Sequence, residues 1–226
     1  MREIVLDIET TGLSPQEGHR IIEIGCVELL NILPTGKIYK QYINPERDMP
    51  NEAYQIHGIS SEFLIKYPVF DDVVASFLEF IGDSQLVINN ASFDINFLNF
   101  EFTKSGQASL SFARVVDTMI LARKMFPGAQ VNLDALCRRF NIDITERKFH
   151  GALKDAELLA LVYLELKGGR QKDLKLINKN RTDTLDNLTP ISSINAFPAR
   201  AHAPSVQERK NHQVFIDKLN DPVWRS

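Results

Sequence analysis

A chain of 226 residues, 44% apolar and 24% charged, has the composition of a globular protein and the length for one sizeable core with an appendage. No apolar run approaches the roughly 20 residues that cross a bilayer, and "REIVLDIE" lacks the long apolar segment and small-residue cleavage site of a secretory signal, so a cytoplasmic protein without a membrane partner is expected. The net charge of −3 is unevenly spread: residues 1–168 hold 16 Lys+Arg against 23 Asp+Glu, whereas residues 169–226 hold 10 against 6. An acidic first part argues against a broad basic patch for phosphates, but not against phosphate contacts through metal ions held by carboxylates. The two cysteines, Cys26 and Cys137, are far apart in apolar surroundings and read as reduced thiols rather than a disulfide or metal site.

Along the chain, residues 2–9, 20–30 and 36–43 read as strands separated by the turn-rich "TTGLSPQEG" and "NILPTG", and such short loops favour an antiparallel meander. "SEFLIKY" and "FDDVVASFLEFIG" follow with apolar residues at helical spacing, the second stopped by Gly82. "QLVINN" reads as a fourth strand. "SFDINFLNFEFTKSG" has helical period, with Ser92 or Asn90 as its cap and Gly106 as its stop. "RVVDT" reads as a fifth strand leading into a helix through about Phe126. "NLDALCRRFNI" and "DAELLALVYLELKGG" are amphipathic helices, the latter ended by Gly168-Gly169. Residues 169–204 then lose periodicity and read as a flexible linker. Order resumes over residues 205–226, where Ser205 and Glu208 make a capping box ahead of Val214, Phe215, Ile216 and Leu219.

The first strand carries an anomaly. In "IVLDIETTGL", Asp7 and Glu9 stand two apart and therefore point to one face, with Leu6 and Ile8 on the other. Taken alone the pair reads as a polar sheet face. Yet the preceding "REIVL" resembles a central strand, where unpaired charge is costly, and two carboxylates converging at a strand's carboxyl end suit a hard divalent cation. Asp94, in a first helical turn, and Asp155, early in a later helix with His150 five residues before it, extend the set. Singly, each is explained by the preference of acids for helix starts. Together, four acids and a histidine are the parts for two-metal hydrolysis of a phosphodiester, with metals about 3.5–4 Å apart and the imidazole taking a proton from the attacking water.

"DIETTGL", "NEAYQIHGI", "NNASFDINFL" and "HGALKDAELLA", in this order across residues 1–168, resemble the motifs of the DEDD exonuclease superfamily, His-containing branch. The resemblance implies an α/β, ribonuclease-H-like exonuclease fold: a mixed five-stranded sheet that begins with three antiparallel strands and is flanked by helices. It implies metal ligands at Asp7, Glu9, Asp94 and Asp155, a general base at His150, and two divalent ions, Mg²⁺ or Mn²⁺. The activity implied is removal of nucleotides from a 3′ end as 5′-monophosphates, and the tail at residues 205–226 points to DNA. Asp7, Glu9 and Asp155 then also touch the substrate, joined by Glu52 and His57 at the terminal nucleotide. Glu52 also reads as a helix-start acid and His57 as a turn residue before Gly58; Phe93 reads as a wedge against a base or as a core aromatic. One departure stands out: proofreading relatives usually have His where this chain has Asn89.

The tail narrows the function. Gln171, Leu174 and Leu176 form a loose Gln-x-x-Leu-x-Leu pattern that resembles a sliding-clamp-binding peptide over residues 171–176, or is ordinary linker. Residues 205–226 resemble the tail by which proofreading exonucleases attach to the alpha subunit of polymerase III, with Phe215, Leu219 and Trp224 as anchors. A flexible tether raises the nuclease's effective concentration at a frayed primer end. Two alternatives remain at this level: a free-standing RNA or oligonucleotide 3′→5′ exonuclease, which needs no long tether, and an inactive binding module, which needs none of the five site residues.

Overall fold

The computed structural model describes residues 1–145, 149–169 and 203–218. The chain divides into two compact units, Met1–Leu174 and Lys175–Ser226.

The first unit opens with the meander: β1 (Arg2–Thr10), β2 (Ile21–Leu30) and β3 (Leu33–Tyr42), each antiparallel to the next. β3 starts earlier than the sequence suggests because "NI" makes a tight two-residue turn, with Asn31 at φ 52° and Ile32 at φ 66°. Those left-handed values are what a twisted hairpin requires. Pro34 falls within β3, an edge strand, where a missing N–H is tolerated.

Helix α1 (Asn51–His57) ends at Gly58 in the left-handed conformation. At seven residues it is too short for its period to be legible in the sequence. α2 is shorter than expected, covering Ser61–Leu64 with Ser60 as its side-chain cap; Pro68 disfavours helix at the residue before it, so "SEFLIKY" cannot continue. α3 (Phe70–Ile81) leads to β4 (Gln85–Ile88), α4 (Ala91–Lys104), β5 (Val115–Asp117), α5 (Thr118–Met125), α6 (Leu133–Arg139) and α7 (Ala152–Leu166). β4 runs parallel to β1 and β5 parallel to β4, in the order β3-β2-β1-β4-β5. The expected mixed sheet, antiparallel first and flanked by helices, is what the chain forms.

The alternation of β1 divides the apolar interior in two. Ile4, Leu6 and Ile8 pack with Phe70 and Phe77 of α3 and Phe97 and Phe102 of α4. Val5, from the other face, packs with Leu136 of α6 and with Leu159 and Tyr163 of α7. Each such side chain contributes about 1.5–3 kcal/mol on burial, so both faces of β1 are committed to packing. β4 pairs with β1 only from Glu3 to Val5. The last half of β1 therefore has no neighbour from β4, which opens the carboxyl end of the sheet to polar groups.

In the second unit, α8 (Val206–Ile216) starts with the capping box read from the sequence: Ser205 Oγ accepts the Glu208 N–H at 3.2 Å and Glu208 Oε2 accepts the Ser205 N–H at 2.7 Å.

Candidate active site

Three of the five expected site residues meet directly. Glu9, on the α7 side of β1, is buried, and one ligand atom from each of Glu9, His150 and Asp155 lies within 4.8 Å of the others. His150 Nδ1 is 3.2 Å from Asp155 Oδ2; the imidazole is half-exposed while the carboxylate is buried. Asp7 is half-buried, and its partner across the β1–β2 ladder is Gly25.

Asp94 arrives from the opposite layer. α4 begins after Asn90, which takes the left-handed conformation (φ 64°) but makes no side-chain cap. The Ala91 N–H donates instead to Asp117 Oδ2 at 3.1 Å, while Asp117 Oδ1 caps α5 by accepting the Met119 N–H at 2.8 Å. One carboxylate thus ties two helix starts together. Asp94, in the first turn of α4, is 3% exposed, and the backbone N–H of Ile8, between Asp7 and Glu9, donates to it. Burial pushes the Asp94 carboxyl well above the usual carboxylate range; the N–H groups of Asp94 and Ile8 oppose this and Asp117 adds to it. The carboxylates of Glu9 and Asp155 with the His150 imidazole form a donor set that fits a hard divalent cation, and a cation's charge would also relieve the cost of ionising buried Asp94.

The position of α7 depends on two residues of β2 that the motifs do not flag. A Cβ on Gly25 would lie 2.1 Å from Leu153 N and 2.2 Å from the Ala152 carbonyl carbon, so only glycine admits the start of α7 against the sheet. Two residues earlier, Glu23 Oε2 accepts the Ala152 N–H at 3.1 Å, and Lys40 Nζ lies 3.4 Å from Glu23 Oε1. Burial raises the pKa of Glu23; the Ala152 N–H and Lys40 counter it in part. The signal for Glu23 was the same as for Asp7 and Glu9, an acid inside an apolar strand, "IIEIG". What it reaches for was not legible.

Glu9 also borders a pocket of about 400 Å³, lined by the turn Thr11–Leu13, by Glu52 and His57 of α1, and by Phe93 of α4. Phe93 packs on the interior and faces the pocket at once, so its two readings are both consistent with its place. The His19 ring covers Gly12: a Cβ there would lie 2.3 Å from His19 Cε1, so a larger residue would have to displace that ring. His57 is 5% exposed. Its Nδ1 accepts the Ile59 N–H at 3.0 Å, so in the neutral ring Nε2 carries the proton, and Nε2 has no partner among the described residues. Burial, reinforced by His150, lowers the His57 pKa to about 4 and keeps the ring neutral near pH 7. The backbone N–H of His150 donates to the Ile56 carbonyl at 3.1 Å, which links the His150 segment to α1 and hence to the pocket wall.

Asn89 joins the end of β4 to the start of α5, its Oδ1 accepting the Thr118 Oγ1 hydroxyl at 3.0 Å. Of the tail residues, Phe215 lies on α8 and is exposed; Gln171, Leu174, Leu176, Leu219 and Trp224 lie outside the described residues. Among the described residues no helix is long and apolar enough to cross a membrane.

The exonuclease family RNase_T matches residues 4–163. DNA polymerase III subunit epsilon of Rickettsia prowazekii is 50% identical over 225 residues, covering 97% of both chains. The same subunit of Salmonella typhimurium is 49% identical over 238 aligned positions, covering 100% of this chain and 98% of its own. Among solved structures, the nuclease domain of 3'hExo, a DEDDh family member bound to rAMP, aligns with TM-score 0.64 at 19% identity, covering 73% of this chain and 90% of its own. Exonuclease X in complex with 5′ overhanging duplex DNA aligns with TM-score 0.59 at 24% identity, covering 74% and 91%. With this fold, and with carboxylates and an imidazole gathered at the sheet's carboxyl end, the chain belongs to the RNase_T exonuclease family and, within it, to the epsilon subunits of DNA polymerase III.

Proposed function

We propose that this chain proofreads for DNA polymerase III, removing mispaired 3′-terminal nucleotides from single-stranded or frayed DNA as 5′-monophosphates. The observation that carries this reading is the convergence of Glu9, His150 and Asp155 beside the pocket formed by Thr11–Leu13, Glu52, His57 and Phe93. Asp7, Glu9, Asp94 and Asp155 are the residues to hold two divalent ions, Mg²⁺ or Mn²⁺. Such ions, when bound, neutralise charge on the attacking and leaving oxygens and make water more acidic. Asp155 orients the His150 imidazole through Nδ1, and the half-exposed ring takes the proton of the attacking water. His57 offers its Nε2–H to the terminal nucleotide, Glu52 accepts from it, and Phe93 rests against its base.

Residues 169–204 serve as a tether, with Gln171, Leu174 and Leu176 as a sliding-clamp peptide. Residues 205–226, including Phe215, Leu219 and Trp224, bind the polymerase alpha subunit and so bring the nuclease to the replication complex on the cytoplasmic nucleoid. The full-length match to the Salmonella subunit, tail included, supports the tether over a free-standing RNA nuclease. The test of the chemistry compares the full chain with an Asp7→Ala/Glu9→Ala variant on single-stranded DNA with Mg²⁺ or Mn²⁺. Only the unaltered chain is expected to release mononucleotides, and its failure to do so overturns the enzymatic reading. Deleting residues 205–226 is expected to abolish co-purification with the alpha subunit while nuclease activity persists; retained co-purification overturns the tail assignment.

A further inference from the structure

We infer that Glu23 is a positioning residue for the metal site, holding the start of α7, and that it acts through its hydrogen bond rather than its charge. The inference rests on the proposed exonuclease reading of Asp7, Glu9, Asp94 and Asp155.

A helix start leaves backbone N–H groups without intrahelical partners. α7 begins after Gly151, which has no side chain to supply one. The missing acceptor comes from 129 residues away: Glu23 Oε2 takes the Ala152 N–H at 3.1 Å in a buried position. Ala152 lies two residues after His150 and three before Asp155, so this bond sets the origin of the turn that presents both groups. Glu23 is the direct partner of Glu9 in the β1–β2 ladder, and directly opposed residues share a face. The strand that carries Glu9 and the helix that carries Asp155 are therefore referenced to one side chain. Gly25, two residues on, removes the bulk that would hold α7 away from that face.

Glu23 is 1% exposed and its oxygens are engaged, Oε2 by Ala152 and Oε1 by Lys40 at 3.4 Å. One oxygen of each of Glu9 and Asp155 converges instead with a ring nitrogen of His150. Groups that orient metal ligands from outside typically change metal affinity 10- to 100-fold when removed.

Two substitutions distinguish orientation from charge. Glu23→Gln removes the charge but keeps an acceptor at full reach; Glu23→Asp keeps the charge but withdraws it by one methylene. Mn²⁺ binding to each full-length variant is measured by the paramagnetic resonance of free Mn²⁺, with thermal unfolding recorded in parallel and kcat and KM taken on single-stranded DNA. The expected result is Mn²⁺ affinity within about threefold of the parent for Glu23→Gln and a loss of about tenfold or more for Glu23→Asp, carried in kcat more than in KM. The reverse order would mean that charge or direct ligation is what matters, and it overturns the inference; so do equal losses in both variants, or no loss in either. Tyr163→Phe removes the buried bond from Tyr163 to Glu3 (2.7 Å) farther along the same helix. If it lowers Mn²⁺ affinity as much as Glu23→Asp does, general loosening of α7 is the cause and the inference fails. A parent chain that bound no Mn²⁺ would overturn the metal-site reading itself, and this inference with it.

Discussion

His150 Nδ1 lies 3.2 Å from Asp155 Oδ2, the imidazole half-exposed and the carboxylate buried in the first turn of α7. A buried acceptor that orients an accessible ring is the arrangement a general base needs, and it assigns different losses to the two residues. His150→Ala is expected to lower kcat about 10²- to 10⁴-fold with Mn²⁺ binding largely kept. Asp155→Asn is expected to lose both. Single-turnover nucleotide release and Mn²⁺ titration of the same preparations check this.

Asp94 is held at a cost. Its burial favours the neutral acid, so its folded-state pKa exceeds its unfolded one. The unfolded chain then releases its proton first as pH rises, and stability falls through that window. Asp94→Asn is therefore expected to raise the melting temperature of metal-free protein at pH 7, by about 2–4 °C for each kcal/mol recovered, while abolishing activity. Calorimetry without and with Mn²⁺ tests both halves, and Mn²⁺ is expected to stabilise the parent chain more than the variant.

His57 shifts the opposite way, to about 4. Between the ordinary histidine value of about 6.5 and this lower one, the unfolded chain binds a proton that the folded chain does not. Stability should therefore drop on acidification below about pH 6.5, with a slope on the order of 1 kcal/mol per pH unit from this residue. Urea unfolding at pH 7.5, 6 and 5 is expected to show a shallower fall for His57→Gln. His57→Leu, which has no donor at this position, is expected to raise KM for single-stranded DNA more than it lowers kcat.

Arg20 and Glu101 form a two-pronged pair: Nε to Oε1 at 2.7 Å and Nη2 to Oε2 at 2.8 Å, with Glu101 1% exposed. The pair joins β2's leading edge to α4, two turns beyond Asp94. Arg20→Ala strands a buried carboxylate and is expected to cost about 3–5 kcal/mol, whereas replacing both partners by apolar residues of similar size is expected to cost much less. Chemical denaturation of the single and double variants decides it.

Much of this fold was legible because its signals are local. Alternation in "REIVLDIET" placed Asp7 and Glu9 on one face, and helical period marked residues 70–81 and 152–166 to within a few residues. α1 shows no period because seven residues span only two turns, though Glu52 and Gly58 mark its ends; Pro68 keeps Tyr67 out of α2. The motifs named Glu9, His150 and Asp155 as one group although their chain positions are far apart. They did not name Glu23, Gly25 or Asp117, whose work lies in what they touch.

The sequence by itself determined which residues are available for the chemistry and which face of each element they occupy, since side-chain direction follows from backbone period. Only the tertiary structure decided that Glu23 reaches Ala152, that Gly25 clears a path for Leu153, and that His57 is buried in the pocket wall with its Nδ1 already taken by the Ile59 N–H. The first two relationships depend on the packing of elements more than a hundred residues apart, and the burial of His57 on what closes over α1; no local pattern encodes those distances.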